Sequence, residues 1–132
     1  MCYGKQARAN YFAVRDVSAF EAWCTSLGMR VHSNPHQNPG LVSVFFENGV
    51  PMDTRDTTGK YHELDFFQEL APHLADNQVA IILEVGIEDD YLCAYGVAMN
   101  ADGEMREITL ESIYELAQEI APTQAEIIRA EY

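Results

Sequence analysis

The spacing of apolar residues changes several times along this chain, and each change marks an element. Residues 9–14 (ANYFAV) are rich in aromatic and β-branched side chains and predict a strand. Asp16 and Ser18 then compete as helix N-caps, with Ser18 and Glu21 in capping-box spacing. Val17, Phe20, Cys24 and Leu27 recur at helical intervals until Gly28 supplies a stop, which predicts one amphipathic helix of about three turns. A short strand is expected over residues 29–33. The run NPHQNPG at residues 34–40 is a loop by its Pro, Asn and Gly content.

Residues 41–47 form a second β-rich run ending at Asn48-Gly49, a pair that suits a type I′ hairpin turn. Residues 50–52 are expected to return as an edge strand, because Pro51 cannot donate to a ladder. Residues 53–62 (DTRDTTGKYH) read as a second polar loop leading to Asp65, an N-cap with Gln68 three residues on. A short helix over residues 66–74 follows, bent by Pro72. The unbroken apolar run at residues 79–85 predicts a central buried strand. Turns at residues 86–90 and 100–103 then separate strands over residues 91–99 and 105–109, and a last helix covers residues 110–120 before Pro122. Helices segregated from a strand meander give an α+β class, with an antiparallel or mixed sheet of about five or six strands and two or three helices packed on one face.

Composition narrows the picture. At 132 residues and 48% apolar content, one domain spanning residues 1–132 is expected. No apolar run approaches the roughly 18 residues of a membrane span and the first residues lack a leader's apolar core, so no membrane association and a cytoplasmic location are expected. Cys2, Cys24 and Cys93 are odd in number and far apart, which suits reduced thiols better than a disulfide framework or a zinc site. The net charge of −13 is unevenly placed. Residues 1–62 hold five acids against six bases, whereas residues 63–132 hold sixteen acids against Arg106 and Arg129 alone. That acidic half disfavours direct nucleic-acid binding, since phosphate contacts need Lys or Arg.

The acids are also ordered. Glu111, Glu115 and Glu119 fall at i, i+4 and i+8 on the expected last helix, with Glu107 just before it and Glu88, Asp89 and Asp90 in a preceding turn. Like charges at that spacing cost a few tenths of a kcal/mol per pair. The helix is therefore expected to be held by an opposite face of Leu110, Ile113, Leu116, Ala117 and Ile120. Such a row serves solubility, or it forms a binding face for a basic protein surface, with carboxylates spaced much as successive phosphates are. The histidines form no ligand-pair signature, although His32, His36, Asp53 and Asp56 are candidates for a site assembled in space. Cys24 lies on an apolar helix face and Cys93 in an acid-rich half, neither a setting for a reactive thiolate. No GxGxxG, Walker A, GxSxG or CxxC occurs, so no catalytic residue, metal ligand or cofactor is assigned.

The stretch AIILEVGIEDDYLCAYGVAMNADGEMREITLESIYELA, with the opening NYFAVRDVSAFEAW, resembles small acidic accessory proteins of phages and conjugative elements. The resemblance implies an accessory or anti-defence role and carries no site residues. The resulting expectation is a non-enzymatic acidic domain that engages a basic protein surface, as a nucleic-acid mimic or an immunity-type inhibitor does. The rival expectation is a small enzyme or ligand-binding domain with a pocket built from residues 32–62, where His36, Asp53, Asp56 and His62 would supply polar lining. A homodimer is a third expectation, recognisable by a large apolar patch left exposed on the monomer.

Overall fold

A computed structural model describes residues 3–46, 48–55, 57–88, 91–122, 126–128 and 130 of the chain. Its frame is a six-stranded antiparallel sheet in the order β2-β3-β1-β6-β7-β8, built from β1 (Tyr3–Ala9), β2 (Arg30–Ser33), β3 (Val42–Phe46), β6 (Val79–Glu88), β7 (Tyr91–Asn100) and β8 (Met105–Thr109). A separate two-stranded ribbon pairs β4 (Asp53–Arg55) with β5 (Tyr61–Glu63). Three helices complete an α+β fold: α1 (Val17–Ser26), α2 (Phe66–Leu70), which runs into a 3-10 turn at Ala71–His73, and α3 (Ser112–Ile120).

Local chemistry sets the two core helices. Asp16 caps α1, its Oδ1 accepting from the Ala19 N–H at 3.1 Å, and Asp65 caps α2 by accepting from the Gln68 N–H at 3.2 Å. Gly28 ends α1 at φ +75, a conformation that carries little penalty without a Cβ. Pro72 turns the end of α2 into the 3-10 segment, because it has no N–H for an α-helical bond. Both helices lie on one face of the sheet. There Phe20 and Cys24 of α1 and Phe66 and Leu70 of α2 share a buried cluster with Ala7, Val44, Phe46, Ala80, Ile82 and Met99 from the strands. Aromatic pairs bind the layers: Trp23 stacks on Phe66 with ring centroids 5.3 Å apart, and Phe46 meets Phe66 edge-on at 5.6 Å.

Three sequence expectations are corrected. The first strand is β1, ahead of residues 9–14, and residues 10–14 carry only isolated bridges at Phe12 and Val14. That segment is held in extended form by partners on both sides. Asn10 Oδ1 accepts from the Ile81 N–H at 2.7 Å, the Ala13 N–H donates to Gln78 Oε1 at 3.0 Å, and Phe12 exchanges backbone bonds with Val42. Asn48-Gly49 closes no β-hairpin, because both edges of β3 are already occupied by β1 and β2. Gly49 takes φ +84 for a different reason: it brings the chain against the side chains of Glu84 and Lys5, where a Cβ would collide with Glu84 Oε1. The expected loop at residues 53–62 is instead part ribbon, Asp53–Arg55 pairing with Tyr61–Glu63.

Candidate functional site

Of the acids singled out above, Glu111, Glu115 and Glu119 are brought together. Glu111 is the N-cap residue of α3, Glu115 lies in its first turn and Glu119 in its last, and all three are exposed. Glu115 suits the positive end of the helix dipole. Glu119 opposes the negative end, and no base stands in that last turn to compensate. Glu107 is on β8 rather than on the helix, opposite Val97. Glu88 ends β6, while Asp89 and Asp90 lie outside the described residues. Since β8 is antiparallel to β7, α3 leaves the sheet toward the end where β6 finishes and β7 begins.

The face of α3 opposite these acids departs from expectation. Ile113, Leu116 and Ile120 are 54–87% exposed, and α3 buries no residue at all. The helix is therefore not packed with α1 and α2, and its apolar row contributes nothing to the core. The sheet has a matching feature. Strand β6 is central, as its apolar run requires, but only one of its faces is covered. Ala80, Ile82 and Glu84 face the core, while Val79, Ile81, Leu83, Val85 and Ile87 are 40–56% exposed on the other side. Register adds Leu92 and Ala94 of β7 to that open face, and Ile108 of β8. Leu83 and Ile108 lean over Gly96, the former coming within 3.0 Å of where a Cβ would stand, so the apolar surface is continuous across three strands.

Toward β1, β2 and β3 the same face becomes basic and aromatic. The Arg8 guanidinium lies 4.5 Å from the centroid of the Phe45 ring and that of Arg30 lies 5.5 Å from it. With Tyr11, His32 and Ser43 these side chains line an open groove of about 540 Å³. His32, a candidate for a site assembled in space, lines this groove, whereas of the polar residues expected to line a loop-built pocket none of the described ones does. His36 stays in the loop before β3, His62 lies on β5 opposite Thr54, Asp53 on β4 opposite Glu63, and Asp56 lies outside the described residues. Among the described residues no group of three or more His, Cys, Asp or Glu is placed to hold a metal ion. Sequence reasoning missed this groove because Arg8, Arg30 and Phe45 are far apart in the chain and meet only through the β1–β3–β2 register.

Buried titratable groups are structural. Burial, reinforced by the charge of Glu21, pushes the Cys24 thiol up to about 12, which keeps it protonated and inert. Glu84, 6% exposed, accepts from the Val50 N–H at 2.8 Å and ties the segment after β3 to β6. Tyr95 is raised well above the usual tyrosine range by burial, by its hydrogen bond to Glu84, and by the charges of Glu84 and Glu107, so it remains a neutral donor. Among the described residues, no helix is long and apolar enough to cross a membrane. Comparison of the chain with protein-family models, curated proteins and solved structures found no match.

Proposed function

We propose that this chain is a non-enzymatic protein-binding domain whose acidic helix α3 engages a basic protein surface. The observation that carries the reading is that α3 takes no part in the core yet keeps Glu111, Glu115 and Glu119 in one exposed row with no base in its last turn. A helix that does not hold the fold together gains nothing locally from like charges that repel by a few tenths of a kcal/mol per pair. What the row does provide is a field that steers a cationic partner, with a whole-chain charge of −13 behind it. A partner whose own ligand is nucleic acid fits this chemistry, as does a basic toxin, and either makes the protein an anti-defence or immunity-type inhibitor acting inside a cell. The test is capture of partners from a host lysate on the tagged chain, followed by association kinetics of Glu111→Lys with Glu115→Lys. A cationic partner whose association slows at least about tenfold in the variant, and between about 50 and 500 mM salt, is the expected result. A partner bound equally fast by the variant at every salt concentration contradicts the reading.

A second reading rests on the groove around Phe45, where Arg8 and Arg30 flank an aromatic ring beside Tyr11, His32 and Ser43. Two guanidinium groups over one ring suit a small anionic ligand, and the chain is then a ligand-binding domain or small enzyme. Inorganic phosphate and a nucleoside monophosphate are the probes. A melting temperature raised by either and unmoved in Arg8→Ala supports this reading, and no shift at about 10 mM of either removes it.

A further inference from the structure

The open sheet face and the apolar side of α3 are two uncovered surfaces of one chain. Leu83, Val85, Ile108, Ile113, Leu116 and Ile120 are all more than half exposed. Together with the rest of β6 and Leu92, the two surfaces expose on the order of 1,000 Å² in sum, enough to match the roughly 800 Å² each partner contributes to a standard interface. A helix of 9 residues does not persist in water without packing, and the glutamate row weakens it further. Something must therefore cover the apolar row of α3, and its own sheet does not.

We propose that the cover is a second copy of this chain, with α3 of each copy lying against the open β6–β7–β8 face of the other about a two-fold axis. The two-fold makes the helix-on-sheet contact twice and so buries both surfaces of both copies at once, whereas a single head-to-tail contact leaves one surface of each copy open. Charge agrees with it. Arg8 on β1 and Arg106 on β8 border the apolar surface, and Glu119 stands on the flank of the apolar row next to Leu116, so the helix-on-sheet contact brings opposite charges to its rim. Glu111 and Glu115 point away from the interface by helical spacing, so the dimer keeps two acidic rows outward. The inference goes beyond the basic-partner reading and does not need it.

Sedimentation equilibrium of the full chain from about 1 to 200 µM reads the association directly. The expected result is twice the 14.9 kDa mass of the chain, with a dissociation constant in the micromolar range or tighter. Two variants divide the contact: Leu83→Lys with Ile108→Lys on the sheet, and Leu116→Lys with Ile120→Lys on the helix. Each alone should weaken self-association at least about 100-fold, and a mixture of the two should recover a mixed dimer tighter than either, because one intact helix still meets one intact sheet. Urea unfolding at a concentration where all are monomeric separates lost association from lost folding, since none of these side chains belongs to the core. A monomer across the whole range overturns the proposal, as does a dimer indifferent to either variant or a mixture that recovers nothing. Salt distinguishes this inference from capture of a basic partner: between about 50 and 500 mM the apolar dimer of two anionic chains holds or tightens, whereas the basic partner is released.

Discussion

His73 lies between Trp23, stacked at 4.9 Å, and Phe20, met edge-on at 5.6 Å, while its carbonyl accepts from the Arg15 N–H at 2.9 Å. Burial lowers its proton affinity below that of an ordinary histidine, against the weaker opposite pull of Asp16 and Glu69. The unfolded chain takes up this proton below about pH 6.5 and the folded chain resists it, so stability is unaffected by His73 above about pH 7.5 and falls as pH drops through the unfolded value. His73→Phe keeps the stacking and removes the titration. Its urea midpoint between about pH 7.5 and 5.5 should fall less than that of the parent chain, and equal falls would show that the packing does not perturb His73. Other single residues were legible from sequence for simple reasons. Asp16 and Asp65 are caps whose spacing announces them, and Cys24 sits at a helical position that must be core. Glu84 was not legible, because a carboxylate inside an apolar run shows its purpose only when the Val50 N–H arrives from a segment 34 residues away in the chain.

At the scale of elements, the β6–β7–β8 meander and all three helices follow from periodicity, and the errors have physical causes. The strand β1 was missed because YGKQARA carries Lys, Gln and Arg: of its described side chains only the small Ala7 and Ala9 meet the core cluster, while Gln6 and Arg8 register with Val85 and Leu83 on the open face. The Asn48-Gly49 pair looks like a hairpin turn, but a turn forms a hairpin only if the strand before it has an edge to offer, and β3 has none. The unbroken apolar run of β6 reads as buried on both sides, since alternation is what reveals a half-covered strand. Here the uncovered face carries Val79, Ile81, Leu83, Val85 and Ile87, while the covered face carries Ala80, Glu84 and Gly86 around Ile82, so the larger aliphatic row is the one left open. For α3 the amphipathic pattern gave the two faces correctly. Which of them the fold would cover is a tertiary fact that no helical spacing contains.

For the whole molecule, the acidic and apolar features become one arrangement. The core is closed by α1 and α2 on one side of the sheet, and the opposite side and α3 are left with surface enough for an interface. The covalent link between β8 and α3 is two residues, Leu110 and Glu111, so helix and open face stay close on each copy and act together. The two proposals together give each face of α3 a use: the apolar side for a second copy, the acidic side for a basic protein. Hydrogen exchange of the α3 amides, measured on the full chain at concentrations well above and well below that of self-association, tests this most directly. The expected result is protection of residues 112–120 by about 100-fold or more at the high concentration and near-complete loss of it at the low one, with α1 protected at both. Protection of α3 that is equally strong at both concentrations, or absent at both, would contradict the account.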